Sequence, residues 1–492
     1  MNKPLHNRQE NYYENQNGEK EVTYTFDAPE EKVENLMATH IRTGAWQILP
    51  SACASLTCIP FGLMLGWPSS NYQILLSADS PIKITMDQSA MIAGFLLFGV
   101  SFGTMFSSKQ LGLGPKYGII FGNICILLGW IIMWRAQDIY GLLVSRIMIG
   151  AGHGYAMGQI KNYILEMTEA PLSEYLIKLV NFYGFSGFVL AYVVGPFVDF
   201  TQYSLISLIV SAFVLSAQFL LPLTPKELIR SQKIEDAKKL LSFLKPDINP
   251  EEESRKLIQN ISDEPIQNGI LRIMKDKTLR INFLKLTVLL ICQQYCGAPP
   301  TLVYTQIIFS KSNVPYPEMI SLGYAVLFFI SIVIGTFVSP RYNKKALLLI
   351  SSCSVLILYM CKIIVIYFKM NDNYFRYTSV IVMYLFIIFH TIGLASIPFT
   401  LINDWFPKSY RSFVTKYFII LFSLLALTNT KIFQVLITQY EFYVPFCFFT
   451  CINIFSVIFI SIFIPSKTAP LIEENRYSAN ITITSIQITN KK

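Results

Sequence analysis

Apolar residues arrive in twelve long runs, and the polar stretches between them are short except for one of about 60 residues from Pro222 to Arg280. Runs of about 18 to 25 apolar residues are the length that crosses hydrocarbon as a helix. They predict helices over 45–67, 88–107, 117–135, 139–165, 176–198 and 203–221, then over 281–309, 318–338, 346–368, 377–402, 412–437 and 442–464. The chain therefore divides into an amino-terminal tail (1–44), a first six-helix bundle (45–221), a charged linker (222–280), a second six-helix bundle (281–464) and a carboxyl-terminal tail (465–492). The fold class is an all-α membrane protein of twelve transmembrane helices in two six-helix bundles, the layout of a carrier. The first tail has no apolar period and is expected to be disordered. Within the linker, the spacing of Leu240, Leu241 and Leu244 predicts short amphipathic helices.

Composition agrees with the bilayer as the main solvent. The 492 residues are 53% hydrophobic and 14% charged, and the mean hydropathy is +0.45, too apolar for a surface that faces water. The net charge of +9 is no nucleic-acid patch, because basic residues gather in the short loops on one side: Lys109 and Lys116, Arg341, Lys344 and Lys345, Lys408 and Arg411. That asymmetry predicts both termini on the cytoplasmic side of the plasma membrane. Trp67, Trp130 and Trp134 are then expected at outer helix ends, as an aromatic belt. All nine cysteines lie in apolar runs and read as free, packed thiols. There are only four histidines and no metal-ligand spacing, so no metal, no cofactor and no enzyme activity are expected.

Polar groups inside hydrocarbon are costly, and they mark function unless they only brace the bundle. Gln293 and Gln294 stand out in the seventh run. Adjacent amides point about 100° apart on a helix, so one reaches a central cavity while the other braces. Pro299-Pro300 removes two backbone donors and predicts a break that can hinge. Glu166 and Asp404 fall at equivalent places at the basic ends of the two halves, with Arg411, Lys116, Lys344 and Lys345 as potential gate partners. Gly150, Gly154 and Gly158 form two overlapping Gly-x-x-x-Gly steps that let another helix approach. Arg146 and His153, seven residues apart, share a helix face with Lys161 nearby.

These residues also carry a resemblance. Gln293-Gln294-Tyr-Cys-Gly297-Ala-Pro-Pro-Thr-Leu-Val-Tyr304 resembles the Gln-Gln-x-x-Gly-x-Asn-x-x-x-x-Tyr motif of the sugar porter family within the major facilitator superfamily. Arg146 with Gly150, Gly152, Gly154 and Glu166 resembles its fourth-helix pattern. Gly393-Leu-Ala-Ser-Ile-Pro398-Phe399, then Asp404-Trp-Phe-Pro407 and Arg411, resembles its tenth-helix Gly-Pro-x-Pro-Trp stretch and the Glu, Phe-Pro and Arg that follow. Pro222-Leu-Thr-Pro225-Lys and Pro465-Ser-Lys-Thr resemble the signatures after helices six and twelve. The likeness spans residues 45–475 and is nearest to insect facilitated trehalose transporters and hexose facilitators. The chain departs from the pattern at Pro299, Phe399, Asn181 and Phe422-Ser423, where the family has Asn, Trp, Gln and Asn-Trp.

The resemblance implies the major facilitator fold and facilitated, alternating-access transport of a small neutral sugar such as trehalose or a hexose. Gln293, Gln294, Asn181, Tyr304 and Phe399 would line the substrate cavity. Glu166, Asp404, Arg411, Arg146, Pro299, Pro300, Gly393 and Pro398 would gate it. No Asp or Glu lies deep in a predicted span, and Pro60 stands where proton-coupled relatives carry Asp. That favours facilitated diffusion over proton coupling. The alternatives are an organic-anion carrier of the same fold, drawing on Arg146, His153 and Lys161, and a sensor that binds sugar without moving it.

Overall fold

Backbone N–H and C=O groups find no water in hydrocarbon, so an apolar run of this length closes its own bonds as a helix. A computed structural model describes residues 9–14, 20–25, 47–77, 80, 82–107, 113–169, 172–244, 249–262, 273–338, 342–368 and 372–466. Lys109, Arg341 and the tail beyond 466 lie outside the described residues. The first half holds helices one (Gln47–Leu75), two (Met86–Phe106), three (Pro115–Arg135), four (Ile139–Met167), five (Leu172–Val194) and six (Phe200–Phe219). The second holds helix seven in three segments (Lys277–Tyr295, Ala298–Val303, Thr305–Lys311), eight (Pro317–Val338), nine (Lys344–Tyr367), ten (Asp372–His390, then Thr391–Ala395 and Ile397–Trp405), eleven (Lys408–Gln439) and twelve (Val444–Phe463). Among the described residues, eleven helices are long and apolar enough to cross a membrane. Helix four is the twelfth: at 29 residues it is long enough, but Arg146, His153 and Lys161 dilute its hydropathy.

Several expectations need correcting. The first tail is not devoid of regular structure: Gln9–Glu14 and Lys20–Thr25 pair as an antiparallel hairpin, with Gln9 opposite Thr25 and Glu14 opposite Lys20. Aromatic and β-branched residues such as Tyr12, Tyr13, Val22 and Tyr24 favour strands over a span too short to show a period. Helix one does not end at Trp67 but runs through Pro68 to Leu75. Its polar end stays inside because Asn71 donates to the Trp67 carbonyl at 3.1 Å and Ser70 to that of Ala191 at 3.4 Å. Trp67 and Trp130 are no belt, since both are fully buried in the first half. Of the nine free cysteines, Cys361 and Cys451 are exposed on the outer surface rather than packed.

Helix two crosses helix four at backbone contact. A Cβ on Gly150 would meet the Leu96 carbonyl at 2.2 Å, one on Gly154 the Val100 carbonyl at 2.2 Å, and one on Gly103 the Ala151 carbonyl at 2.0 Å. Small residues let these helices exchange dispersion contacts that lipid cannot supply. Helix two also packs on helix eleven, and helix five on helix eight, so these pairs form the seam between halves.

Three linker helices, Pro225–Arg230, Ile234–Leu244 and Pro250–Ser262, follow helix six. Leu244 is buried with Ala54, Ile119 and Tyr163 of the first half, and the Gln47 amide donates to the Leu244 carbonyl at 2.7 Å. Glu227 fastens this layer. One of its oxygens accepts the Lys116 N–H at the start of helix three, and the other the Thr224 N–H, each at 2.9 Å. Burial raises the pKa of its carboxyl above the ordinary 4.5, against the pull of those two donors.

Two outcomes follow from this packing. Gly150→Val forces Cβ into the Leu96 carbonyl and costs at least the ~1–3 kcal/mol of an overpacked core, read as a lower melting temperature in detergent. Because the folded pKa of Glu227 lies above its unfolded value, its contribution to stability is present in full below pH 4.5 and is lost as pH rises through the raised value. Melting temperatures measured across that window are expected to fall for the parent chain and to show a shallower slope for Glu227→Gln.

Candidate functional site

Helix seven breaks where its polar residues sit, but not at the prolines. Gly297 takes the left-handed conformation, with φ at 103°, and the chain re-enters a helix at Ala298 with Pro299 and Pro300 in its first turn. That position suits proline, whose missing N–H is unpaired there in any case. The turn is tight: a Cβ on Gly297 would lie 2.5 Å from the Tyr359 hydroxyl and 2.7 Å from the Phe449 ring. Helix ten is broken in parallel. A wide π turn, Thr391–Ala395, contains Gly393, whose Cβ would meet the Ser351 Cβ of helix nine at 2.4 Å. Pro398 then opens the segment Ile397–Trp405.

Between these breaks lies a group of amides. Gln293 and Gln294 are 3% and 2% exposed. The Gln293 amide donates to the Ala395 carbonyl in the π turn at 3.1 Å. Asn429 of helix eleven, wholly buried, donates to the Gln294 carbonyl at 2.7 Å. The side-chain oxygens of Gln293, Gln294 and Asn429 are buried without a donor. An unpaired buried acceptor costs ~1–3 kcal/mol, and three of them lie around this one helix break. Asn429 escaped the sequence reading because it lies six residues past Ser423, outside the stretch where the family pattern places its helix-eleven amide.

The remaining predicted cavity residues are scattered. Tyr304, fully buried, is hydrogen-bonded to Ser89 of helix two at 3.0 Å and stacks on Phe433. Phe399 is partly buried, its ring 5.9 Å from that of Phe422. Asn181 is exposed and lines a groove on the helix five to helix eight seam with Lys178, Phe182, Phe185, Ile332 and Thr336. The structure thus brings Gln293 and Gln294 together with Asn429 and sets Asn181 apart from them.

Of the residues expected to gate, Glu166, Asp404 and Arg411 lie at the end nearest the linker. Glu166 accepts from the Thr224 hydroxyl at 2.6 Å and lies 3.7 Å from Lys226. Asp404 pairs with Lys344 at 2.5 Å. Arg411 donates to the Phe406 carbonyl at 2.9 Å, Lys345 to that of Ser461 at 2.7 Å, and Lys116 to that of Phe219 at 3.3 Å. Each of these contacts stays within its own half or joins it to the linker. At the opposite end the halves are tied to each other. Besides Tyr304 to Ser89, Tyr192 donates to the Leu302 carbonyl at 3.0 Å, and Asp87 at the start of helix two pairs with Lys431 of helix eleven. Ser101 to the Ile420 carbonyl, at 3.3 Å, is a further tie along the helix two to helix eleven seam. The halves are latched at the end away from the linker.

Arg146 and His153 converge on no common pocket. Arg146 donates to the Met64 carbonyl at 3.0 Å, with its guanidinium 4.4 Å above the Trp67 ring. His153 stacks flat on Phe61 at 3.6 Å. A second buried basic side chain, Lys362, lies 4.3 Å from the centre of the Phe446 ring. The sequence reading passed over it because it falls near a helix end, where lysines ordinarily reach the interface.

Two six-helix halves packed along two seams and tied at one end, with broken helices in the second half, are the layout of a membrane carrier. The family model described as "Sugar (and other) transporter" matches residues 69–476. The chain belongs to that family, the sugar porters of the major facilitator superfamily. It is 22% identical to the facilitated trehalose transporter Tret1 of Bombyx mori, over 87% of this chain and 86% of that protein. It is 24% identical to the sugar transporter ERD6-like 2 of Arabidopsis thaliana, over 82% of this chain and 90% of that one. Among solved structures, the inward-open xylose transporter XylE of E. coli superposes with a TM-score of 0.70 at 14% identity, covering 85% of this chain and 96% of that one.

The Asp87–Lys431 latch is partly exposed, so its contribution is on the order of 0.2–1 kcal/mol. Asp87→Asn is expected to shift the balance between the two end-open states by no more than about fivefold, and the swap Asp87→Lys with Lys431→Asp to restore it. Accessibility of an introduced cysteine near the latch to an impermeant thiol reagent reads that balance.

Proposed function

We propose that this chain is a facilitative carrier of a small neutral sugar such as trehalose or a hexose, working as a uniporter in the plasma membrane with both termini and the linker in the cytoplasm. The observation that carries this reading is the trio of unpaired amide oxygens on Gln293, Gln294 and Asn429. Sugar hydroxyls supply donors to such acceptors, and a site built for donors discriminates strongly against solutes that lack them. Tyr304 and Phe399 add aromatic faces. Glu166, Asp404, Arg411 and Arg146 hold the gate, while Pro299, Pro300, Gly393 and Pro398 lie where helices seven and ten change direction.

Uniport rests on the placing of carboxylates. Asp and Glu stand only near helix ends or in the connections, as at Asp87, Glu166 and Asp404. A carboxylate at mid-membrane is the common proton carrier of coupled transporters. The trehalose transporters and XylE, by their names, place sugar on the same fold. The basic loop residues set at the linker end support its cytoplasmic placement.

Oocytes expressing the chain are expected to take up radiolabelled trehalose or glucose saturably, at the same rate with and without an imposed proton gradient. Gln293→Ala and Asn429→Ala are each expected to raise the apparent KM about tenfold, the worth of one buried polar contact, with surface expression unchanged. Uptake that follows the proton gradient would overturn uniport. Unchanged KM in both variants would overturn the amide pocket.

A further inference from the structure

Besides Asn282 to the Trp405 carbonyl at 3.5 Å and Ser312 to Ser379 at 2.7 Å nearer their ends, the two broken helices of the second half meet at two points at their breaks. One is the Gln293 amide on the Ala395 carbonyl. The other is a thiol and an imidazole: Cys296 Sγ lies 3.4 Å from His390 Nδ1 and 2.8 Å from the Gln293 carbonyl. With its S–H given to that carbonyl, the sulfur lone pair accepts N–H from Nδ1, and one chain of hydrogen bonds runs from the backbone of Gln293 to His390. Both side chains are sealed in, at 0% and 4% exposure. Their places matter more than their burial. Cys296 is the last residue before the Gly297 break, and His390 the last before the π turn of helix ten.

The surroundings fix the pair from behind. The His390 ring stacks on Phe386 at 5.6 Å and 14°, and Phe386 lies 5.1 Å from Tyr359, whose hydroxyl fills the space beside Gly297. The break of helix seven and the π turn of helix ten are therefore bridged on one side by Gln293 and on the other by Cys296.

We propose that Cys296 and His390 are positioning residues that make the two breaks move as one unit. A solute drawing on Gln293 pulls on its bond to Ala395. Were that the only tie at the breaks, the turn at Gly297 could shift without the π turn that precedes the Ile397–Trp405 segment carrying Asp404. The thiol–imidazole bridge holds the two breaks at fixed separation, so that engagement at the amides is transmitted to the gate end. This rests on the reading of Gln293 as a solute contact. It predicts that loss of the bridge spares binding and slows translocation.

The test compares variants in uptake of radiolabelled trehalose and glucose, normalised to surface protein. Cys296→Ala and His390→Phe, the latter keeping the stack on Phe386, are each expected to lower maximal flux about fivefold with KM changed less than about twofold. Cys296→Ser and His390→Asn, which keep a polar partner at Sγ and Nδ1, are expected to recover flux to within about twofold of the parent chain. The double variant Cys296→Ala with His390→Phe is expected to be no slower than either single one, because both remove the same link. Full flux in Cys296→Ala, a loss confined to KM, or losses that multiply in the double variant would each overturn the proposal. Amide hydrogen exchange over residues 391–396 and 297–311 of the purified chain provides a readout that needs no transport. Exchange over 391–396 about fivefold faster in Cys296→Ala but not in Cys296→Ser supports the bridge, and equal exchange overturns it. Should neither sugar be carried by the parent chain, the sugar reading fails while the exchange measurement still decides the bridge.

Discussion

Breaking a helix inside hydrocarbon frees backbone groups that no water can reach, and the second half is organised around answering that at Gly297. The left-handed turn there releases the ladder of helix seven just past Gln293 and Gln294. The Gln294 carbonyl takes the Asn429 amide, and the Gln293 carbonyl takes the Cys296 thiol. The Ala395 carbonyl, within the π turn of helix ten, takes the Gln293 amide. Asn429 and Gln293, having given their N–H groups, keep side-chain oxygens without a donor. Unpaired acceptors at the helix break are thus what remains after the backbone has been served, and the same groups become available to a ligand. Fold and site are one problem here.

The halves solve the membrane differently. The first is joined by close glycine crossings between helices two and four and by linker helices seated on its inner end. Among the described residues its helix one is interrupted by a turn at Leu56–Thr57, and its side-chain hydrogen bonds run mostly to carbonyls. The second carries both broken helices and the aromatic stack Tyr304, Phe433 and Phe449. Because the two are held by the helix two to eleven and five to eight seams, relative motion keeps the seams and exchanges contacts at the ends. A rigid half paired with a hinged one needs few residues to change partners.

Span number, the two-half division and the Gln293-Gln294 break were legible in the sequence because each depends on a local property: run length, the long charged insert, or amides in an apolar run. What escaped depends on distance in three dimensions. Trp67 reads as a belt residue by its place near a helix end, yet Arg146 on another helix claims its ring. Pro299-Pro300 mark the break only approximately, since proline tolerates a first turn and the strained residue is Gly297. Asn429 and Lys431 look like unremarkable polar residues of helix eleven until helices seven and two are set against them. Asn181 shows the converse, for a position matched by pattern can still face the seam.

Arg146 and Lys362 pose the sharper physical question, because a cation held without a carboxylate in a membrane interior is ordinarily a liability. Both are more than nine-tenths buried, and both lie over aromatic rings: Trp67 for the first, Phe446 for the second. A desolvated cation–π contact contributes about 2 kcal/mol or more, which offsets part of the desolvation without introducing a second charge. The consequence is functional. A carboxylate partner would give the carrier a group able to take up and release a proton in mid-membrane, whereas a tryptophan or phenylalanine face has none. Rings in place of acids let these cations brace helices one, four, nine and twelve without adding a second charge, which agrees with the proposed passage of an uncharged solute.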